Sequence, residues 1–362
     1  MVGENLKKKA VFLFLEFLGL STIVYIIIGL FHLSFAKIPS DILGREKYHL
    51  ILSEEVFSSL KWLILCFLIT LIVWGIRKAK GKWTLRDLGY RVHESWGKDI
   101  WLGVVVFCLF FLIRLPLTII NFPGHAELAA GSDFYNSLLS SSFPLLFIFL
   151  PFLFMALSIF GAAFWEEVFW RGYLQTLFWR KFSPATGFLF TTIVFGLGHF
   201  FTRPDWGKWG MLFALSSLIS GISFGIVYYM TGSLISVAVI HFLGNFWSDY
   251  PLIVYINGNK SGAYIFVILL AVLSLIVCLL GWRRIQQFWI KTKELFAGYG
   301  WKMTLAGIVL GIGGLAYEWG RGWLRAIYQK ENPALLGLIL VVFAAVTLGI
   351  SFAYKEKTDG RQ

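Results

Sequence analysis

The sequence predicts an all-α protein, a polytopic membrane bundle of about 8–10 transmembrane helices. Of the 362 residues, 58% are hydrophobic and only 14% are charged, the composition of a multi-spanning membrane protein. Apolar runs of about 20 residues, the length that crosses a hydrocarbon core, recur along the chain. We therefore expect a multi-pass protein of the cell membrane.

About ten runs are apolar enough to be considered as spans. They cover residues 10–35, 56–77, 99–121, 143–179, 185–202, 209–230, 233–250, 262–282, 302–318 and 334–354. The fourth run is expected to break near Pro151, since proline interrupts a helix.

Loop charges predict the orientation, because Lys and Arg are retained on the cytoplasmic side. Residues 77–98 and 283–293 are rich in Lys and Arg, whereas residues 122–142 contain neither. This alternation predicts that both termini are cytoplasmic. Three basic residues would then fall outside, and we interpret their stretch as an amphipathic interfacial helix: Arg321, Arg325 and Lys330.

Charge and cysteine usage exclude several classes of protein. The net charge is +12, but the basic residues are confined to loops, which indicates contact with anionic lipid and no nucleic-acid partner. The three cysteines lie far apart in apolar runs, which fits neither a disulfide framework nor a zinc cluster. The first apolar run lacks a small-residue cleavage site and is expected to be a retained span.

One internal boundary is predicted, near residue 284. Residues 1–284 would form the transmembrane bundle, with its chemically unusual core at about 140–250. Residues 285–362 would form a C-terminal extension with two further membrane helices. The spacings Gly221/Gly225 and Gly307/Gly311 predict close helix packing.

The most unusual stretch is residues 166–171, which place three ionisable side chains inside an apolar run. At a bilayer centre each costs roughly 2.5–3.5 kcal/mol, or on the order of 8–10 for the three before pairing. Glu167 and Arg171 are four residues apart on one helix face, so they can pair. Glu166 points about 100° away and has no partner on its own helix. Function therefore explains Glu166 better than scaffolding does.

Two later stretches add polar groups at membrane depth. His199 ends a Phe-Gly-Leu-Gly-His sequence, and His241 and Asn245 lie four residues apart on one helix face. Polar groups on three spans usually face the bundle interior and meet there. A carboxylate and a histidine can share the deprotonation of water, and a second histidine with an amide can donate to an oxyanion. The combination therefore favours hydrolysis.

These stretches resemble the CPBP family of intramembrane proteases, which includes CAAX-prenyl endopeptidases and bacteriocin-processing proteins. The family motifs Glu-Glu-x-x-x-Arg, Phe-x-x-x-His and His-x-x-x-Asn occur here in order on successive spans. The resemblance implies that Glu166 and His199 activate water and that His241 and Asn245 form the oxyanion site. It implies a structural role for Glu167 and Arg171. The expected partners are a membrane-anchored peptide or protein substrate and the lipid bilayer.

Three alternatives stay open. No cofactor is expected, but zinc is possible, with Glu166, His199 and His241 as a His₂Glu ligand set. The pattern Gly221-Ile-Ser223-Phe-Gly225 allows a rhomboid-like serine protease that uses Ser223 and His241. A non-catalytic transporter or scaffold could use the same Glu and His residues as a proton relay.

Overall fold

The computed structural model describes residues 2–35, 47–81, 83–90, 96–129, 145–202, 208–256, 260–297, 300–331 and 333–353. Within these ranges every regular element is a helix and none is a strand, so the predicted all-α class is confirmed. The elements are α1 Val2–Phe35, α2 Lys47–Lys80, a 3-10 helix Leu85–Leu88, α3 Trp96–Ala129, α4 Leu145–Glu167, a π-helix Val168–Gln175, α5 Thr176–Lys181, α6 Pro184–Thr202, α7 Lys208–Thr231, α8 Leu234–Ile256, α9 Lys260–Leu280, α10 Trp282–Ala297, α11 Gly300–Glu331 and α12 Pro333–Ala353.

The membrane prediction is confirmed by helix length and composition. In the described part of the chain, seven helices are long and apolar enough to cross a bilayer: α1, α2, α3, α6, α7, α9 and α11. Shorter apolar segments lie in α8 and α12. Together these helices give a multi-pass membrane protein, as expected from the composition. The cytoplasmic placement of both termini stays a prediction.

Packing around α6 and α4 defines the centre of the bundle. The α6 helix lies between α7 and α11, and α4 lies between α2 and α8. The α3 helix contacts α7, α8 and α9, while α1 packs against α12. The three helices that carry the predicted motifs, α4, α6 and α8, are therefore surrounded by other helices.

The expected break near Pro151 is not found, because α4 continues through that residue. The irregularity lies instead directly after Glu167, where the backbone widens into a π-helix whose eight residues are all buried. There the amide of Thr176 donates to the carbonyl of Arg171, five residues earlier. Such widened turns are rare and often occur at functional sites.

Tertiary contacts hold the π-helix in place. The Tyr173 hydroxyl donates to Oε1 of Glu16 over 2.6 Å, and Nε2 of Gln175 donates to the Gly225 carbonyl over 2.9 Å. Glu16 is ion-paired with Arg77 at 2.9 Å and with Lys80 at 2.7 Å. The intramembrane charge on Glu16 is thus paired with neighbouring cations and anchors the π-helix to α1 and α2.

The α11 helix, which belongs to the predicted C-terminal extension, packs closely along α6. A Cβ atom on Gly307 would lie 3.0 Å from Cα of Thr186, and one on Gly314 would lie 2.4 Å from Val194. The close packing predicted from Gly307 and Gly311 is therefore present. It brings the C-terminal part of the chain against the helix that carries His199.

Arg321 lies within α11 and not in a loop. Its guanidinium is ion-paired with Glu318 at 2.5 Å and lies 3.3 Å from the centre of the Tyr25 ring. The predicted helix is present, since α11 continues to Glu331, and the Arg321 charge is paired with Glu318 on that helix and covered by Tyr25 of α1. The interfacial placement of this stretch stays a prediction. The side chains of Arg325 and Lys330 lie outside the described residues.

Candidate active site

Glu167 is the centre of a buried polar cluster. Its Oε1 atom accepts from Nη1 of Arg171 at 3.0 Å, the pair that the four-residue spacing predicts. The same oxygen lies 2.7 Å from Nδ1 of His241 on α8. The side chains of Glu167 and Arg171 are fully buried. Glu167 therefore links the helix that bears both glutamates to the helix that bears His241.

Glu166 differs from its neighbour in exposure. Its side chain is 25% exposed, whereas that of Glu167 is 0% exposed. Oε2 of Glu166 lies 3.9 Å from Nε2 of His241, on the opposite side of the imidazole from Glu167. Of the two carboxylates, Glu166 is therefore the one with exposed surface.

Two phenylalanines enclose the charged groups. The Arg171 guanidinium lies 4.3 Å from the centre of the Phe195 ring and 5.1 Å from that of Phe224. The His241 ring stacks on Phe224 with 4.8 Å between ring centres. Contact with aromatic faces stabilises a desolvated cation, so these rings partly replace the water that Arg171 has lost.

His199 joins the cluster through Phe195. Its ring lies 4.7 Å from that of Phe195, which lies 5.9 Å from the ring of His241. Nδ1 of His199 is 2.5 Å from the Phe195 carbonyl oxygen, which can only accept a hydrogen bond. Nδ1 therefore carries the hydrogen in the neutral ring, and Nε2 keeps the lone pair that a base requires.

Asn245 lies one turn after His241 on the same face of α8 and is partly exposed. No hydrogen bond to its side chain occurs among the described residues. The structure thus brings Glu166, Glu167, Arg171 and His241 into direct contact, with His199 one aromatic ring away. Asn245 is placed beside this cluster by helix geometry alone.

Ser223 is positioned differently from the nucleophile of a serine dyad. It is buried, and its hydroxyl donates to the Ser220 carbonyl over 2.7 Å. Nδ1 of His241 is bound to Glu167, and in the described part of the chain no hydrogen bond joins His241 to Ser223. The geometry does not favour the serine alternative.

The zinc alternative concerns Glu166, His199 and His241. Within the described ranges, no group of three or more His, Cys, Asp or Glu side chains is placed to hold a metal ion.

Sequence reasoning missed the contact between Glu167 and His241. The pairing of Glu167 with Arg171 follows from their spacing on one helix, but the two ends of the His241 contact are 74 residues apart. No local pattern reports a contact across such a separation. The sequence did indicate that Phe195 belongs to the site, because it is the Phe of the Phe-x-x-x-His motif.

The two glycines before His199 should differ sharply in tolerance to substitution. A Cβ atom on Gly196 would lie 2.4 Å from the backbone Cα of Leu218, whereas one on Gly198 would meet only Glu318, at 3.7 Å. Overpacking a core typically costs about 1–3 kcal/mol, and backbone atoms cannot move aside as a flexible side chain can. We expect Gly196→Ala to lower the thermal midpoint in detergent clearly and Gly198→Ala to leave it nearly unchanged. Equal midpoints for the two variants would contradict the close approach of α6 and α7.

The comparisons agree with the motifs. Residues 148–247 match the family model described as Rce1-like, type II CAAX prenyl endopeptidase Rce1-like, and this segment contains all the predicted site residues. No curated protein and no solved structure matches the chain. The resemblance to the CPBP family is confirmed. Residues 148–247 are thus similar to type II CAAX prenyl endopeptidases, which implies a membrane protease at the level of the family.

Proposed function

We propose that this protein is an intramembrane endopeptidase that hydrolyses peptide bonds of membrane-tethered, CAAX-type substrates with a water activated by Glu166. The observation that supports this most directly is the difference between the two adjacent glutamates. Glu167 is fully buried and bonded to Arg171 and His241, whereas Glu166 is 25% exposed. One carboxylate is thus committed to the scaffold and the other is available for chemistry.

The proposed reaction starts when Glu166 takes a proton from water. Nε2 of His199 keeps its lone pair because Nδ1 faces the Phe195 carbonyl, so this ring can share the proton. The resulting hydroxide attacks the carbonyl carbon of the scissile bond and forms a tetrahedral intermediate with an oxyanion. The C–N bond then breaks, and the proton taken from water is returned to the leaving amine.

His241 and Asn245 stabilise the oxyanion. Nδ1–H of His241 donates to the Glu167 carboxylate, and in the imidazolium form of the ring Nε2 carries a second hydrogen. That Nε2–H points to the side of Glu166, where the water is activated. The amide of Asn245, one turn away, supplies the second donor. Loss of one such donor typically costs about 2.7–4 kcal/mol of barrier.

A metal-free glutamate mechanism, a zinc mechanism and a serine dyad predict different outcomes in proteoliposomes that contain a fluorogenic membrane-tethered peptide. We expect turnover to survive extensive dialysis against a chelator, since no step depends on a metal. We also expect Ser223→Ala to retain most of the activity, because its hydroxyl is bound to a backbone carbonyl. Chelator inactivation that added zinc reverses would overturn the metal-free mechanism, and loss of turnover in Ser223→Ala would favour the serine dyad.

The same proteoliposome assay distinguishes a protease from a transporter or scaffold. A transporter or scaffold would leave the peptide intact in every variant. We expect instead a new amino terminus in the product, identified by mass spectrometry. Intact peptide with the native protein, across substrates of different anchors and sequences, would overturn the proposed function.

A further inference from the structure

Arg114 is an intramembrane cation that the proposed chemistry does not use. It lies in α3, and its side chain is turned inward between helices, where Nη1 donates to Oγ of Ser220 on α7 over 2.9 Å. None of the carboxylates in the described residues is paired with it. The sequence suggests that a cation near the end of a span extends to the interface. The contact with Ser220 instead directs this one toward another helix of the bundle.

The contact with Ser220 places Arg114 at the wall of the candidate active site. Phe213, Ser220 and Phe224 are separated by seven and four residues, so they share one face of α7. Phe213 contacts the His199 ring at 5.6 Å, and Phe224 stacks on the His241 ring at 4.8 Å. Ser220 lies between these two contacts, and Arg114 reaches the site at that point.

Asn245 lies at the same depth. The α7 and α8 helices run antiparallel from the turn at residues 232–233, and Phe224 on one faces His241 on the other. Four residues earlier on α7 is Ser220, and four residues later on α8 is Asn245, so both lie about 6 Å along the bundle from the His241 layer. Arg114 and Asn245 therefore offer hydrogen-bond donors on the same side of His241.

A guanidinium that has no carboxylate partner among the described residues, set in an apolar bundle beside the candidate active site, suits an anionic oxygen group. Arginine binds planar carboxylates through two parallel N–H bonds, and such charge-assisted bonds are strong where water is scarce. A peptide whose end enters the bundle brings a permanently ionised α-carboxylate of that shape.

On the basis of the proposed function, we infer that Arg114 is a specificity-determining residue that binds the free C-terminal carboxylate of the substrate peptide. Ser220 orients the guanidinium by accepting from Nη1, and the remaining N–H groups of Arg114 are directed at the ligand. Because the contact lies about one helical turn from His241, it selects peptides that are cut close to their C-terminus. Chains that only pass through the membrane do not provide this carboxylate.

Binding tests this inference without turnover. Glu166→Gln protein in lipid nanodiscs is titrated with two labelled, membrane-tethered peptides that are identical except for a C-terminal carboxylate or a C-terminal carboxamide. We expect the carboxylate peptide to bind at least about tenfold more tightly, the range of one charged hydrogen bond. Adding Arg114→Gln should reduce this ratio to within about twofold. Adding Arg114→Lys, which keeps the charge, should preserve part of it.

Matched variants test whether the carboxylate preference depends on Arg114 itself or on the positive charge of the protein in general. Lys291→Gln removes an exposed cation on α10 and should leave the ratio intact. Ser220→Ala should weaken the carboxylate preference without removing it, since the charge of Arg114 remains. Equal binding of the two peptides to Glu166→Gln, or a preference that persists in Arg114→Gln, would overturn the role of Arg114. A native protein that cleaves neither peptide while the binding preference persists would overturn the proposed function and leave Arg114 as an anion site.

Discussion

Glu166→Gln should reduce turnover by a factor on the order of 10²–10⁴ while the protein still folds, because the substitution keeps the shape of the side chain and removes the base. Fold retention is expected because Glu166 is partly exposed and, among the described residues, makes no ion pair shorter than the 3.9 Å contact with His241. The measurement is initial rates in proteoliposomes, together with thermal unfolding of both proteins in detergent.

The control for Glu166→Gln is Glu294→Gln, which removes an exposed carboxylate on α10 that is paired with Lys291. It should leave the rate within about twofold, since exposed ion pairs of this kind contribute little. Full activity in Glu166→Gln would remove this residue from the mechanism. Loss of both activity and folded protein would assign Glu166 to the scaffold.

Arg171→Ala should lower the free energy of unfolding by about 3–5 kcal/mol, the range for removal of one partner of a buried ion pair. Both members of the pair are fully buried, so Glu167 cannot recruit water in place of the guanidinium. The aromatic rings of Phe195 and Phe224 would in addition face a void. Folded yield after purification and chemical denaturation in detergent both report this loss.

Two matched variants define the origin of that loss. Arg180→Ala breaks an ion pair with Asp87 whose side chains are 41% and 24% exposed, and should cost about 1 kcal/mol or less. Arg171→Ala combined with Glu167→Gln should recover part of the stability, because the charge left unpaired by the first change is removed by the second. Normal yield and stability of Arg171→Ala, with a defect only in turnover, would contradict a structural role for Arg171.

The link between Glu167 and His241 predicts that the two structural residues also affect the proposed chemistry. Glu167 is held by Arg171 and in turn bonds Nδ1 of His241, so the ion pair fixes the orientation of the imidazole. We therefore expect changes at Arg171 to act on the proposed catalysis through Glu167. The π-helix extends this support, since it carries Arg171 and is anchored to Glu16 through Tyr173.

The sequence by itself determined the fold class, the membrane location and the identity of the motif residues. Apolar runs of about 20 residues predict helices, because backbone polar groups in a bilayer must be hydrogen-bonded internally and a helix achieves this within one segment. The Glu167–Arg171 pair was likewise predictable, since a spacing of four residues places two side chains on one helix face. These features follow from the spacing of residues along a helix and from the apolar environment of the bilayer, and both can be judged from the order of residues alone.

Only the tertiary structure decided how the motif helices meet. The contact of Glu167 with His241, the enclosure of Arg171 by Phe195 and Phe224, and the packing of α11 on α6 each join residues far apart in the chain. The π-helix replaced the expected break at Pro151, because contacts of Tyr173 and Gln175 with other helices stabilise a backbone form that local propensity does not favour. The side chain of Arg114 is turned inward by its contact with Ser220, which is 106 residues away in the chain. Such contacts depend on which helices become neighbours. Apolar periodicity indicates that a helix face is buried, but it does not indicate which helix packs against that face.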